Sequence, residues 1–384
     1  MNDLRWQHIL KKYTFAIMPI YMDVHNVPGV KAKDVADAHR MDLLHQEEHA
    51  CKCMTYWIDE DRENIFCLIE APDKEAVINM HNKAHGLIPN RIVEVSSNIV
   101  ESFLGRIYDP ENAITAVDGL RVFEDPAYRI IVLITYEDPV ILRHRLGNEK
   151  TASLLQTQQQ IIRKHLASYC GHEAQHDDIA YILSFVSAVA ALDYANNVLS
   201  EFNREALHET GFRIALHSGE PLENSHTLFG DAIQFARHLS FVGRDHQVTV
   251  SGTVKNLVAK DHNPKTVQYQ CFLPQDENLL RGLFDSLENN WQNANFDIDF
   301  FSRQMAMSKS QLYRKIIALT GLSPNILLKD YRLAKAKDLM KKQFHNIAQV
   351  TFEAGFTSPS YFTKCFKQKF GLLPMAYLEL LRNN

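Results

Sequence analysis

Six of the 18 histidines lie between residues 25 and 85: His25, His39, His45, His49, His81 and His85. His81 and His85 stand four apart in the stretch MHNKAHG, so on a helix both imidazoles share one face and can hold one metal ion. His39 and Asp42 stand three apart and share a face in the same way, and His45 and His49 are again four apart. On a strand, Asp23 and His25 share a face through the period of two. Imidazole with carboxylate suits nickel, zinc, copper or iron. Histidine pairs also occur on solvated helix faces, so the surrounding frame must decide between the two.

That frame covers residues 15–95. FAIMPIYMDVH is a strand, and a helix over Lys31–His49 follows the turn PGVK. CKCMTYWID and IFCLIEAP are strands joined by EDREN. Asp73 caps a helix over Lys74–Ala84, Gly86 stops it, and RIVEV closes as a strand. The order βαββαβ is the ferredoxin-like motif. Its two helices pack on one side of the sheet, which predicts that His39/Asp42 and His81/His85 converge near the helix ends. Cys51-Lys-Cys53 reads as strand sequence, and Cys67 between Phe66 and Leu68 as a core thiol. The segment resembles a small nickel-binding ferredoxin-like family through MDVH (22–25), AHRMD (38–42), YW (56–57), FCLIEAP (66–72) and HNKAHG (81–86). The resemblance implies a metal ion, nickel first, or a small ligand. It implies His39, Asp42, His81 and His85 as ligands, with His25 and Cys67 behind them.

A second kind of chemistry lies at the C-terminal end. Residues 297–384 carry 14 Lys+Arg against 6 Asp+Glu, and the preceding residues carry 27 against 40. A basic tail on an acidic body suggests a polyanionic partner for the tail. Ser308 is an N-cap and Gly321 a C-cap for a helix that turns Leu312, Ile316 and Leu319 inward. It leaves Lys309, Ser310, Gln311, Tyr313, Arg314 and Lys315 outward. A long amphipathic helix over Asn325–Lys341 follows, and the pattern then repeats. A short helix over Ile347–Ala354 turns at Gly355, and a second exposed helix runs from Ser358 to Phe370. There Phe362 and Phe366 point inward while Ser360, Tyr361, Lys364 and Lys367 point away. Two such units joined by one helix can set two reading helices into successive major grooves. Their lysines and arginines neutralise phosphates, while Ser, Gln and Tyr reach base edges.

From about Leu279 this segment resembles the DNA-binding domain of the AraC/XylS family of transcription regulators. The resemblance rests on MSKSQLYRK then TGLSP, and on AGFTSPSYFTKCFKQKFG then LP. Leu373 replaces the serine usual before the closing proline, in a structural turn. The resemblance implies promoter DNA and RNA polymerase as partners, and activation of transcription.

Between head and tail, strands and helices alternate: YRIIVLITYEDP, a helix over Lys150–Tyr169, IAYILSF, a helix over Val186–Phe202, and FRIALHSGEPL. This is an α/β pattern with a mixed sheet. The run RIALHSGE…LFGDAIQFARHLSFVGRDHQVTVSGTVKNLV resembles the class III nucleotidyl cyclase catalytic domain, over about Val117–Ala259. Active members need two metal-binding aspartates for phosphoryl transfer. Here Tyr136 ends the opening strand, with Glu137 and Asp138 beside it, and Asp177 and Asp178 lie in the hairpin without the expected glycine. Gln234 and His238 stand where the family carries Asn and Arg. The domain is therefore expected to be catalytically dead, and the resemblance implies a homodimer.

The fold class expected is multidomain α+β with an all-α tail. It comprises a ferredoxin-like βαββαβ head (15–95), a degenerate cyclase-like α/β middle (117–260) and a double helix-turn-helix tail (279–384). No stretch of about 18 apolar residues occurs, and the six cysteines show no disulfide spacing, so a cytoplasmic protein with no membrane span is expected. The function expected is a DNA-binding regulator, not an enzyme, with a head that senses metal or ligand. The alternative is a metal-regulated nucleotidyl cyclase fused to a DNA-binding domain.

Overall fold

A computed structural model describes residues 18–111, 113–116, 119–205, 210–223, 225–261, 269–342 and 346–382. Phe15–Ile17, the expected start of the first strand, and Val117, the expected start of the middle region, lie outside the described residues. The chain forms two compact units, one of residues 1–128 with 220–230, the other of 129–219 with 231–384.

The first unit holds the head. Its elements are β1 (Ile20–Asn26), α1 (Ala32–His45), β2 (Lys52–Asp59), β3 (Asn64–Glu70), α2 (Lys74–Ala84) and β4 (Arg91–Val95). The sheet order β2-β3-β1-β4 puts β1 in the centre, antiparallel to β3 and β4. Period-two alternation turns Tyr21, Asp23 and His25 to the face that carries Cys67 and Tyr56, under α1 and α2. The Asp73 carboxylate accepts the Ala76 N–H at the start of α2, and Gly86 takes φ +80° after its end.

Beyond β4 the chain adds α3 (Ser97–Leu104) and a small hairpin of β5 (Ile114–Thr115) and β6 (Arg121–Val122), none of which the sequence reading anticipated. Residues 220–230 belong to this unit. Asn64 donates to the Glu220 carboxylate at 2.8 Å, Arg91 donates to the Leu222 carbonyl at 2.7 Å, and Phe103 stacks on Phe229 at 4.9 Å.

The second unit begins with β7 (Arg129–Tyr136), α4 (Pro139–Leu146), α5 (Asn148–Lys164), β8 (His172–His176) and β9 (Ala180–Phe185). It continues with α6 (Ala188–Arg204), β10 (Phe212–Gly219), α7 (Gly230–Val242), β11 (Val248–Val250), α8 (Gly252–Asp261) and β12 (Tyr269–Cys271). The sheet order is β12-β11-β10-β7-β9-β8, with β10, β11 and β12 parallel and the remaining pairs antiparallel. The run from β7 to β10 repeats the βαββαβ order of the head. The helix expected over Lys150–Tyr169 is α5, which ends at Lys164, and a separate α4 precedes it, capped by Asp138 ahead of Pro139 and ended at Gly147 with φ +82°.

The tail comprises α9 (Pro274–Asn290), α10 (Ile298–Gln304), α11 (Lys309–Thr320), α12 (Pro324–Lys342), α13 (Ile347–Glu353), α14 (Pro359–Phe370) and α15 (Pro374–Arg382). It is one compact unit with the middle sheet: Val140 and Ile141 of α4 share a core with Met340, Phe366 and Tyr377. Among the described residues, no helix is long and apolar enough to cross a membrane.

The turn after α13 generates a test. Gly355 sits at φ +75°, and an added Cβ would collide with the Trp291 carbonyl oxygen and the Arg332 guanidinium. Gly355→Ala is expected to destabilise the chain by about 2 kcal/mol, read from the urea midpoint. An unchanged midpoint would contradict this packing.

A candidate metal centre and two exposed helices

His81 is the hub of the head. It is fully buried on α2, and each ring nitrogen meets a carboxylate. Nε2 lies 2.9 Å from Asp23 Oδ2 of β1, and Nδ1 lies 3.1 Å from Asp42 Oδ1 of α1. His85, one turn on, brings Nε2 to 3.0 Å from His81 Nδ1 and 3.1 Å from Asp42 Oδ1. Three donor atoms therefore form a triangle with nearly equal sides. Ligands in cis positions at about 2.1 Å from a metal are about 3.0 Å apart, so two imidazoles and one carboxylate here match one face of a coordination sphere.

On the other side of His81, the His25 ring packs edge-on at 5.0 Å, and its Nε2 lies 3.2 Å from Asp23 Oδ1. Asp23 Oδ1 has no hydrogen-bond partner beside this contact, and the other His25 nitrogen, Nδ1, is buried without one as well. Asp23, His25, Cys67 and His81 form a second, wholly buried group with ligand atoms within 4.8 Å of one another. Among the described residues, such groups of three or more occur only in the head. The donor set and the unpartnered atoms fit a transition-metal ion.

Burial would push the two carboxylates up, but the neighbouring imidazoles win. His81 and His25 hold Asp23 well below the usual carboxylate range, and hydrogen bonds from His81 and His85 hold Asp42 low. For His81, burial disfavours the cation, yet Asp23 and Asp42 outweigh it and raise the group to about 10. Burial first, then Asp23 and Asp42, pushes the Cys67 thiol far up, so it stays neutral.

Asp42, His81, His85 and His25 lie close together. His39 does not join them. Its Nε2 lies 3.5 Å from Asp109, beyond β4, and its ring packs on Tyr56 at 5.2 Å. Asp23 was missing from the ligands picked by resemblance, although it is the residue nearest His81 Nε2. The available signal was a carboxylate in the middle of an apolar strand, on the same face as His25.

In the tail, Ser308 Oγ accepts the Gln311 N–H, and Gln311 Oε1 accepts the Ser308 N–H at 3.0 Å. These two side chains thus close the start of α11, and Lys309 pairs with Asp299. Ser310, Tyr313, Arg314 and Lys315 are exposed while Leu312, Ile316 and Leu319 are covered. Ser358 is half-buried and caps α14 through the Tyr361 N–H. Ser360, Tyr361, Lys364 and Lys367 are exposed above buried Phe362, Cys365 and Phe366.

The polar residues singled out in the middle region each have a partner or a packing contact. The Tyr136 hydroxyl donates to the Asp177 carbonyl at 3.1 Å, and Glu137 takes both arms of Arg145. Asp138 faces Lys341 at 3.0 Å and Tyr377 at 2.8 Å. Gln234 donates to Glu288 at 2.6 Å, and the His238 ring stacks on Phe284 at 4.0 Å.

Comparison with known proteins finds two families. Residues 21–95 match the family described as nickel responsive protein SCO4226-like, and residues 301–380 match a helix-turn-helix domain family. A histidine kinase P4 of Formosa agariphila is 39% identical over 102 residues, covering 27% of this chain and 7% of that protein. The HTH-type transcriptional regulator MtrA of Neisseria gonorrhoeae is 31% identical over 99 residues, covering 26% of this chain and 31% of that protein. The crystal structure of SCO4226 from Streptomyces coelicolor is 32% identical, covering 20% of this chain and 94% of that one, with a TM-score of 0.19. The chain thus spans under a third of the length of these two curated relatives. It carries a SCO4226-like domain at its N-terminal end and an AraC-type helix-turn-helix domain at its C-terminal end.

Asp23→Asn leaves the His81 cation buried with one carboxylate instead of two. In metal-free protein it is expected to cost about 3 kcal/mol of stability by urea denaturation. A variant as stable as the parent would contradict the pairing.

Proposed function

We propose that this protein is a DNA-binding transcription regulator whose head binds a transition-metal ion, nickel first among the candidates. The observation that carries the DNA half is the pair of exposed faces on α11 and α14, each polar and basic above an apolar core. Arg314, Lys315, Lys364 and Lys367 engage phosphates, while Ser310, Tyr313, Ser360 and Tyr361 reach base edges. Ser308, Lys309, Gln311 and Ser358 set the entry of each helix.

The metal half rests on the triangle of Asp42, His81 and His85. These three residues hold the ion. Asp23 orients His81 through its other nitrogen, as carboxylates do for metal-bound imidazoles. His85, the least buried of the set, gives the route from solvent. Bound metal supplies charge and geometry rather than a reaction. His25 and Cys67 stand behind this set, and His39 lies apart from it.

The middle region is read as a cyclase-type domain that has lost its chemistry, and the chain as a homodimeric, cytoplasmic activator that works with RNA polymerase. The strand order supports that reading, and the commitment of Tyr136, Glu137, Asp138, Gln234 and His238 to packing speaks against phosphoryl transfer. Incubation with ATP or GTP and Mn²⁺ is expected to yield no cyclic nucleotide. Turnover that disappears in Asp178→Ala would overturn this.

Two measurements test the main proposal. Calorimetric titration with Ni²⁺, Co²⁺ and Zn²⁺ is expected to give tight binding that the double variant His81→Ala/His85→Ala loses. Equal binding by both proteins would make these histidines ordinary core and surface groups. On DNA enriched in vitro with the full chain, Lys364→Ala/Lys367→Ala is expected to lower the salt slope of binding by about 2. An unchanged slope would remove α14 from the interface.

A further inference from the structure

The two reading helices share one carrier, α12, which is held at its middle and near its end by residues of α7, α9 and the segment before α4. Near its middle, the Tyr331 hydroxyl donates to Glu288 of α9 at 3.2 Å, and Glu288 also takes the Gln234 amide of α7 at 2.6 Å. The Tyr331 ring packs against Phe241 of α7 at 5.7 Å. Near its end, Lys337 and Lys341 turn to Asp138 at 3.4 and 3.0 Å. The same carboxylate accepts from the Tyr377 hydroxyl of α15 at 2.8 Å and caps α4 through the Val140 N–H at 3.0 Å.

The Asp138 side chain is 1% exposed. A carboxylate so buried must keep its donors, and three of them come from two tail helices. Around it, Val140 and Ile141 complete the core of the second helix-turn-helix unit with Leu333, Met340, Phe366 and Tyr377. Helices and turns of the middle region therefore splint α12 from Tyr331 to Lys341.

We infer that Asp138 is a positioning residue for DNA recognition. By anchoring α12 and α15 to the middle region, it fixes the second reading helix relative to the first and narrows the spacings of bound half-sites. The inference rests on the DNA-binding reading above. One base pair inserted between the two half-sites shifts the second by about 3.4 Å and rotates it by about 35°. A splinted tail cannot follow that change, so the DNA must deform to meet it. A tail released from Asp138 can adjust.

The test compares affinities of the full chain for a duplex it enriches in vitro and for the same duplex lengthened by one base pair between the half-sites. The parent is expected to prefer the original spacing by about tenfold or more. Asp138→Asn is expected to cut that preference to about threefold, with both proteins folded by near-ultraviolet circular dichroism. The lost negative charge raises affinity for both duplexes alike and cancels in the ratio. Should Asp138→Asn fail to fold, Tyr377→Phe removes a single oxygen from the same contact and is expected to narrow the preference in the same direction. A preference unchanged in the folded variant, or equal losses on both duplexes, overturns the inference while DNA binding stands. No binding by the parent on any duplex overturns both.

Discussion

The head depends on two carboxylates that have been taken out of water. Asp23 and Asp42 are 0% and 3% exposed, and ions so buried persist only beside compensating charge. His81 stands between them with one ring nitrogen for each. This single imidazole ties β1 to α2 and α2 to α1. A divalent cation beside Asp42, His81 and His85 would answer the same demand with more charge and stricter directions. Structural need and metal binding therefore draw on the same residues.

The second unit solves a comparable problem with lysines in place of histidine. Burial disfavours the Lys337 cation and Asp138 answers it, while Lys337 and Lys341 hold Asp138 below the usual carboxylate range. The partners come from regions far apart in sequence, so the contact is a tie between the middle sheet and the tail. Other polar side chains of this unit are tied in the same way: Tyr136 with Asp177, Glu137 with Arg145, Gln234 with Glu288.

Local chemistry was legible in the sequence and long-range pairing was not. Asp73, Gly86, Ser308, Gly321, Ser358 and Gly371 mark helix ends through their own side-chain or backbone preferences, and the helices start and stop beside them. The His81/His85 pair follows from a spacing of four on α2. His39 shows the limit. Its spacing to Asp42 put it near the cluster, but Asp109, from a segment with no periodic pattern, draws it away. Asp23 was visible as a charge in an apolar strand, yet its weight depends on the register of β1 beneath α2. Asp138 looked like a displaced catalytic acid because nothing local points to Tyr377, 239 residues later.

For the proposed regulator to respond to metal, binding in the head must change the affinity of the tail for DNA. Thermodynamic linkage makes that claim measurable, since a ligand shifts DNA affinity only by its differential affinity for two states. The most direct measurement is the dissociation constant for an enriched duplex, by fluorescence anisotropy at fixed salt, with chelator and then with saturating Ni²⁺. For the parent, metal is expected to change affinity by about 5- to 100-fold, and for His81→Ala/His85→Ala not at all. Identical constants for the parent with and without a bound ion would contradict the account and leave the head a metal carrier without influence on DNA.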